Sequence, residues 1–452
     1  MKYFDLIVIG SGSGLDVAVY AAEKGMHVAI IEEGPLGGTC LNRGCIPSKM
    51  IIHSADVAEI IQRARLFGIS PKGYKVDFAK ITKRASKIVN KDSAEIEKGV
   101  KETENIVLFK KRGKFIGERT LVIGNKTIEG EKVVVAAGTR PAIPQIEGIN
   151  DVDYITSDEA LRLTKQPKRM VIMGGGFIAA ELAHFYGSLG TKVTILQRST
   201  LLNKEDREIA EAFTKSISKK YDVILGYSPK TVKQKGKKIV ITAGKNKKIK
   251  KIETDSLLIA TGRIPNSDIL DVKKSNIETD DKGNIKVNEY LETTAKNTWA
   301  LGDIVGKHLL KHSANLEAEY VMKNAIEGKK EAVDYWPMPH AIFSSPQIAA
   351  VGYTEEELKE RKINYVVGKY YYKDTGMGLA IEEKEGFVKI LAGKESRKIL
   401  GCHIIGPDAS TLIHEVVVAM QAGLTADILV DAVHVHPALS EVVQRAARRI
   451  EW

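Results

Sequence analysis

Two stretches of the sequence read as a buried strand that runs into a glycine-rich turn and then into a helix. The strands are residues 4–9 and 170–173. In such a unit the backbone N–H groups at the helix N-terminus face a pyrophosphate, and the glycines let it come close. The turn positions are Gly10, Gly12 and Gly14 in the first unit and Gly174, Gly176 and Ala179 in the second. Two such units predict an α/β protein that binds two dinucleotides.

The first unit departs from the usual glycine spacing at its third position. That glycine is expected at position 15, where the chain has Leu15, and Gly14 is the residue that can replace it. The next strand, residues 27–31, ends at Glu32, which has the spacing of the acid that holds ribose hydroxyls. Because Glu33 is adjacent, the alternative remains open that either carboxylate is an ordinary surface acid with no ligand.

The second unit lacks an acid at the corresponding place. Its second strand, residues 193–196, ends in Gln197 and Arg198. Losing the carboxylate removes repulsion of a 2′-phosphate, and Arg198 could pair with that phosphate through two hydrogen bonds. We therefore predict NADPH rather than NADH, the alternative being an arginine on a solvated loop.

Two cysteines, Cys40 and Cys45, lie five positions apart. Five residues of a regular helix rise about 7.5 Å, whereas a disulfide needs Cα atoms about 4.4–6.8 Å apart. We expect the backbone to bend here, which Gly44 permits. Zinc prefers closer pairs with a second pair elsewhere, and the other cysteine, Cys402, stands alone in an apolar stretch. A redox-active pair is favoured, with a structural disulfide, a zinc half-site and unreactive thiols as alternatives.

A histidine near the end of the chain suits the chemistry of such a pair. Thiols that form and leave need a proton donor and acceptor, and histidine titrates in the right range. We assign His436 as the acid–base and Glu441 as the carboxylate that orients it, with His434 as a structural residue.

Composition limits the setting of this chemistry. The chain has 452 residues, 43% of them hydrophobic, and no uninterrupted apolar run near the ~20 residues of a membrane span. It enters a strand at once without a signal-peptide pattern, and three cysteines make no disulfide framework, so we expect a cytoplasmic protein. The net charge is +11, with lysines dense between 215 and 251 in what looks like an exposed hairpin. We interpret them as a solvated face rather than a site for nucleic acid or an acidic partner.

These features in this order resemble the pyridine nucleotide-disulfide oxidoreductases, a family of FAD-dependent enzymes, over nearly the whole chain. The resemblance implies FAD on the first unit, NAD(P)H on the second, and a homodimer. It implies two Rossmann-like dinucleotide-binding domains and an α+β dimerisation domain. The segments are 1–145 and 263–334 for the FAD-binding domain, 146–262 for the NAD(P)-binding domain and 335–452 for the dimerisation domain.

The resemblance also implies the roles of individual residues. Cys45 lies against the flavin as the charge-transfer thiol, and Cys40 is the interchange thiol that attacks substrate. Lys49 approaches the flavin ring and pairs with Glu181. His436 is placed against the cysteine pair of the other subunit, so that the active site exists only in a dimer.

Further cofactor contacts follow from the same resemblance. Asp303 hydrogen-bonds the ribityl chain of the flavin, and Phe177 covers the nicotinamide pocket. In 310–315, which lines the flavin in relatives, we interpret His312 as structural. The remaining implied positions are Gly38, Thr39, Ala137, Gly138, Thr139, Gly262, Arg263 and Gly302.

The substrate is predicted from mixed signals. Segments 310–315 and 406–413 resemble mycothione reductase, whereas 434–437 and 439–441 resemble dihydrolipoamide dehydrogenase. No cysteine pair ends the chain, which argues against mercuric reductase. We predict a dihydrolipoamide dehydrogenase, with lipoamide carried on an acyltransferase as one form of the substrate. The alternatives are an NADPH-dependent reductase of a small-thiol disulfide such as mycothione or glutathione, a mercuric reductase-like enzyme, and a flavoprotein scaffold that only binds.

Overall fold

The N-terminal part of the chain forms a mixed sheet with helices packed on it. The structure is a computed structural model that describes residues 2–452. The elements are β1 Lys2–Ile9, α1 Gly14–Glu23, β2 Val28–Ile31, α2 Gly38–Arg43, α3 Cys45–Arg63, α4 Phe78–Glu102, β3 Ile106–Phe109, β4 Gly113–Gly117, β5 Thr120–Ile123, β6 Lys126–Val135 and β7 Thr139–Pro141. β1 pairs in parallel with β2 and β6 and is covered on both faces, which explains its continuous apolar run.

The middle of the chain forms a second, fully parallel sheet. The elements of this part of the chain, not all of which belong to that sheet, are β8 Tyr154–Ile155, α5 Ser157–Ala160, β9 Arg169–Met173, α6 Phe177–Ser188, β10 Lys192–Gln197, α7 Arg207–Ile217, β11 Asp222–Leu225, β12 Ser228–Lys235, β13 Lys238–Lys245, β14 Lys248–Thr254 and β15 Ser256–Ile259. The order in the sheet is β11-β10-β9-β15-β8. Each glycine turn therefore follows the carboxyl end of a central strand, where dinucleotides bind in such sheets.

The lysine-rich segment differs from the expected exposed hairpin. β12, β13 and β14 form a three-stranded antiparallel sheet. Because side chains alternate along a strand, Ile239 and Ile241 of β13 point inward and are buried in a core with β9 and β15. The lysines between 230 and 251 remain exposed.

The chain then returns to the first sheet. The elements are β16 Arg263–Pro265, β17 Thr298–Ala300 and α8 Lys311–Val321. β17 pairs in parallel with β6, and β16 pairs antiparallel with β7. α8 shares a buried core with α1 and β1, which places the start of α8 beside the first glycine turn.

The C-terminal part is an antiparallel sheet of order β18-β19-β22-β21-β20, against which α11 and α13 pack. Its elements are β18 His340–Ile342, β19 Ile348–Gly352, α9 Glu355–Glu360, β20 Tyr365–Tyr371, α10 Gly376–Ala380, β21 Phe387–Gly393, β22 Ile399–Ile405, α11 Ala409–Gln421, α12 Asp427–Asp431 and α13 Glu441–Arg448. Cys402 lies inside β22, and burial raises the pKa of its thiol, as expected for an unreactive cysteine.

This architecture confirms the predicted fold class, with two Rossmann-like domains and an α+β C-terminal domain. The exact domain boundaries drawn from the sequence stay predictions. Within residues 2–452, no helix combines the length and the apolar character needed to cross a membrane.

Candidate active site

A cavity of about 470 Å³ opens where the first glycine turn, the cysteine segment and the starts of α6 and α8 converge. It brings together most of the site residues predicted from the sequence. Among its lining residues are Gly10, Gly12, Glu32, Gly38, Thr39, Cys40, Cys45, Lys49, Ala137, Gly138, Thr139, Phe177, Glu181, Arg263, Gly302 and Asp303. Gly174, Gly176 and Arg198 lie outside it, at the second glycine turn and the strand that follows.

The first glycine turn forms a tight backbone cradle. Gly10 has a φ of +102°, and a Cβ atom there would lie 2.3 Å from the Ala136 carbonyl oxygen. Gly38 crosses the turn so closely that its Cβ atom would lie 2.6 Å from the Cα of Gly12. At Gly14 a Cβ atom would lie 2.7 Å from that of Ala136. Gly14 therefore provides the close helix–strand packing of the third glycine.

The neighbouring acids Glu32 and Glu33 have different environments. Glu32 accepts hydrogen bonds from the Ser11 N–H at 3.1 Å and the Ser11 hydroxyl at 2.8 Å, inside the cradle. Glu33 pairs with Arg112 at 2.8 Å on the exposed rim. Glu32 is thus the carboxylate that can reach a ribose bound beside the turn.

The pairing of β7 with β16 builds a polar chain on the opposite wall. Arg263 Nε donates to Thr139 Oγ1 at 2.7 Å, and Thr139 Oγ1 donates to Asp303 at 3.1 Å. Burial raises the pKa of Asp303 and lowers the pKa of Arg263. The cradle, Glu32 and Asp303 together supply backbone donors for a diphosphate and carboxylates for hydroxyls, so the cavity fits FAD.

The cysteine pair sits at a break between two helices. α2 ends at Arg43 and α3 begins at Cys45, with Gly44 between them. A Cβ atom at Gly44 would lie 2.9 Å from the Thr39 carbonyl oxygen, so glycine allows the close approach that bends the chain. Both cysteines are free thiols. Within residues 2–452 no cluster of three or more metal-ligating side chains forms.

The two thiols are electrostatically unequal. Hydrogen bonding from Cys40 lowers the pKa of the Cys45 thiol to about 7 against the effect of burial, and the positive charge of Lys49 lowers it further. Hydrogen bonding to Cys45 and burial raise the pKa of the Cys40 thiol. Cys45 is therefore the thiolate of the pair near neutral pH, and Cys40 needs a base to become a nucleophile.

We expect the thiolate of Cys45 to appear as pH rises through about 7 in the anaerobically reduced protein. The pKa of an ordinary cysteine thiol is about 8.5. Because the charge of Lys49 stabilises the thiolate, Lys49→Met should move the midpoint upward. The thiolate ultraviolet absorbance measures this titration, with Cys402→Ala as a control that leaves it unchanged. A midpoint near 8.5 in the parent protein would contradict the assignment.

Lys49 and Glu181 form an ion pair across 132 positions of the chain. The Lys49 amine lies 2.9 Å from both carboxylate oxygens, and the contact follows from the packing of α3 on α6. Phe343, which the sequence did not indicate, completes the group. Its backbone N–H donates to Glu181 at 3.0 Å, and the amine lies 4.5 Å from its ring centroid.

His436 and Glu441 form a hydrogen-bonded dyad in the C-terminal domain. His436 Nδ1 lies 3.0 Å from Glu441 Oε1, and the hydrogen bond with His436 lowers the pKa of Glu441. The His436 side chain is 72% exposed. The His434 ring, in contrast, is fixed by two hydrogen bonds. Its Nε2 lies 3.0 Å from Glu415 Oε2, and its Nδ1 lies 2.9 Å from the Ala432 carbonyl oxygen.

The dyad lies outside the cavity that holds the cysteine pair of its own chain. Within the described residues 2–452, the lining of the cavity ends at Ala314 and includes none of the C-terminal domain. Next to His436 two apolar side chains face solvent, Val433 with 99% exposure and Val435 with 75%.

The second glycine turn has the geometry of a second nucleotide site. Gly174 has a φ of +129°, and its Cβ atom would lie 2.1 Å from the Ala260 carbonyl oxygen, whereas Gly176 faces open space. Phe177 begins α6 and reaches into the main cavity, while Ala179 is buried. Gly262, which lies directly before β16, has a φ of +128°. Arg198 follows β10, is exposed, and makes no salt bridge within residues 2–452.

The start of α8 holds His312, which the sequence analysis interpreted as structural, and Lys311, which it did not single out. His312 Nε2 lies 2.7 Å from the Pro339 carbonyl oxygen, a structural contact. Lys311 turns into the cavity, where its amine contacts Ser13 and Asn315. The available signal was the position of this basic residue in segment 310–315, which lines the flavin in relatives.

Comparisons with known proteins agree with this geometry. A family model described as "Pyridine nucleotide-disulphide oxidoreductase" matches residues 4–331, and the model of the dimerisation domain of the same family matches residues 338–447.

Curated relatives match over nearly the full chain. The mycothione reductase of Mycobacterium tuberculosis (strain ATCC 25618 / H37Rv) is 36% identical over 461 residues, covering 99% of each chain. The dihydrolipoyl dehydrogenase of Geobacillus stearothermophilus is 34% identical, covering 98% of this chain and 95% of the relative. The mercuric reductase of Staphylococcus aureus is 33% identical, with coverages of 98% and 82%.

A solved structure matches the fold closely. The HOCl-induced flavoprotein disulfide reductase RclA from Escherichia coli superposes with a TM-score of 0.87 at 28% identity, covering 97% of this chain and 98% of that chain.

Proposed function

Because this chain belongs to the pyridine nucleotide-disulphide oxidoreductase family, we propose that it exchanges electrons between NAD(P)H and a small disulfide, acting as a dihydrolipoamide dehydrogenase. The family is FAD-dependent and uses pyridine nucleotides. The observation that carries the proposal is the pair of unequal thiols beside Lys49 in the cavity that fits FAD. The His436–Glu441 dyad supplies the proton chemistry.

The chain's own residues carry the thiol chemistry. FAD, when bound, supplies the two-electron exchange between the nicotinamide and the cysteine pair. The cradle of Gly10, Gly12, Gly14 and Gly38 with Thr39 would hold its diphosphate. Glu32 and Asp303 would hold hydroxyl groups, and Lys49 would sit beside the flavin ring with its charge fixed by Glu181.

The thiol–disulfide exchange with the substrate takes place in two steps. Cys40 Sγ attacks one sulfur of the substrate disulfide, which breaks the S–S bond, forms a mixed disulfide with Cys40 and turns the other sulfur into the first departing thiol, which stays tethered when the substrate is lipoamide. The Cys45 thiolate then attacks Cys40 Sγ, which releases the second substrate sulfur as a thiolate that takes a proton from solvent, and leaves the Cys40–Cys45 disulfide. His436 takes the proton of Cys40 and passes it to the departing thiol, with Glu441 holding its ring in position. Oxidation of dihydrolipoamide is the same path in reverse.

This chemistry requires a homodimer in our proposal. The exposed ring of His436, and a cavity lining that includes no C-terminal residue within residues 2–452, support a site that a second chain completes. The exposed Val433 and Val435 give the surface around His436 an apolar character that suits contact with a second copy. We therefore place His436 against the cysteine pair of a second copy of the chain.

A second candidate is an NADPH-dependent reductase of a small-thiol disulfide. The exposed Arg198, just after β10, favours it, because Arg198 makes no salt bridge within residues 2–452 and a guanidinium suits a 2′-phosphate. Steady-state assays of the purified protein separate the candidates. We expect oxidation of dihydrolipoamide with NAD⁺ or NADP⁺ as acceptor. Reduction of a small-thiol disulfide by NADPH with lipoamide ignored would favour the second candidate, and inactivity toward every disulfide would refute both.

We expect Arg198→Glu to move the nucleotide preference from NADPH toward NADH. A lost charge-assisted pair and a new repulsion should lower the NADPH-to-NADH ratio of kcat/KM by about 10-fold or more. Lys204→Glu, an equal charge change at an exposed position, is the control and should leave the ratio near that of the parent. An unaltered ratio in Arg198→Glu would show that this residue does not select the nucleotide.

A further inference from the structure

Lys311 is a cation in the main cavity, and although its segment, 310–315, lines the flavin in relatives, neither the sequence nor the family comparison assigns a role to this side chain. It is the first residue of α8, and its amine donates a hydrogen bond to the Ser13 hydroxyl at 2.8 Å and another to Asn315 Oδ1. The Ser13 hydroxyl donates in turn to Asn315 Oδ1 at 2.9 Å. The three side chains link the start of α8 to the first glycine turn.

The charge of Lys311 is not balanced by a carboxylate. Lys49, by contrast, pairs with Glu181 at 2.9 Å, and on the rim Arg43, Arg112 and Arg140 each pair with an acid. Within residues 2–452 Lys311 forms no salt bridge, and its two partners are neutral oxygens. A half-buried ammonium in this state attracts an anion that enters the cavity.

The position of Ser13 indicates which anion that is. Ser13 lies between Gly12 and Gly14, in the turn whose backbone forms the cradle. We propose that Lys311 is the counter-charge for the diphosphate of FAD, with Ser13 and Asn315 as positioning residues that hold its amine over the turn. The inference rests on the FAD-dependent function proposed above, and it adds a side-chain cation to a site otherwise built from backbone donors.

In a competing role, the charge of Lys311 would act on the groups that exchange electrons, the flavin ring and the cysteine thiols. The charge of Lys311 also acts on Cys40, lowering the pKa of its thiol against the larger effects of Cys45 and burial. Lys311 could therefore favour the reduced flavin or a thiolate instead of the diphosphate. Binding measurements on oxidised FAD, which carries the diphosphate but no reduced ring, separate the two roles.

The test is reconstitution of the FAD-free protein. For Lys311→Met we expect oxidised FAD to bind about 10- to 100-fold more weakly than to the parent, as for loss of a hydrogen bond to a charged group. ADP, which has the diphosphate without the flavin, should lose affinity as a competitor by a similar factor. Lys311→Arg should restore most of the affinity, which shows that the loss is not a folding defect. Lys72→Met, which removes one exposed lysine, is the matched control and should bind FAD like the parent.

The flavin midpoint potential gives the second readout. If Lys311 binds the diphosphate, oxidised and reduced FAD lose affinity equally, and the potential of Lys311→Met stays at the parent value. A more negative potential with FAD affinity within about twofold of the parent would overturn the inference in favour of the redox role. A parent protein that binds no FAD would overturn the proposed function as well. FAD binding that is strong in the parent and equally strong in Lys311→Met would overturn the inference alone.

Discussion

Cys40→Ser is expected to abolish disulfide turnover while the protein still takes electrons from NAD(P)H. Cys40 is the thiol that forms the bond to substrate, and serine cannot form a mixed disulfide. The rate with lipoamide should fall by at least about 10⁴-fold, as when an enzyme loses its nucleophile. Reduction of an artificial one-electron acceptor, which needs no cysteine, should continue. Steady-state rates with both acceptors measure the two activities.

Cys402→Ser is the control for this substitution. It removes a thiol that is fully buried in β22, away from the cavity, so turnover should remain near that of the parent. Lipoamide turnover that survives in Cys40→Ser would mean that the chain uses another route, and a cellular role that survives in Cys45→Ser would support a flavoprotein that only binds.

His436→Gln is expected to slow turnover by about 10²- to 10⁴-fold, the range for loss of a general acid–base, while FAD stays bound. Glutamine keeps a hydrogen-bonding side chain but cannot carry the proton of Cys40. The parent rate should change between about pH 6 and pH 9, and the variant should lose that dependence. His53→Gln, at an exposed position on α3, is the matched control. A parent rate that is flat through this pH range would remove the acid–base assignment.

Mixing the two inactive variants tests the shared site. In a dimer of one Cys40→Ser chain and one His436→Gln chain, one of the two sites receives an intact cysteine pair from one copy and an intact His436 from the other. Random exchange of subunits should therefore restore about a quarter of the parent activity. Activity that stays at the level of the separate variants would show that each chain uses its own His436.

Local pattern predicted the fold because each dinucleotide unit is continuous in sequence. The apolar run of residues 4–9 and the turn after it specify a buried parallel strand and a phosphate cradle without reference to distant residues. The sequence also predicted that Gly14 takes the role of the glycine expected at position 15, because Gly14 and Leu15 both lie at the start of the same helix. The lysine-rich segment was misread as an exposed hairpin because composition does not show that Ile239 and Ile241 face a neighbouring core.

Contacts between elements that are distant in the chain could not be predicted from the local sequence pattern. The pairing of Lys49 with Glu181 was expected only through family resemblance, since it depends on how α3 packs on α6. Phe343 and Lys311 were missed for the same reason. The backbone N–H of Phe343 meets Glu181 from another domain, and Lys311 reaches Ser13 only because α8 packs beside α1.

Anaerobic alkylation of the purified protein tests the central claim most directly. The protein is alkylated with and without prior reduction by NADPH or NADH, and mass spectrometry then locates the label. Our account predicts that Cys40 and Cys45 form a disulfide in the oxidised protein and become labelled only after the nucleotide is added, while the buried Cys402 stays unlabelled throughout. Labelling of Cys40 and Cys45 that does not depend on either nucleotide would contradict a redox relay through this pair.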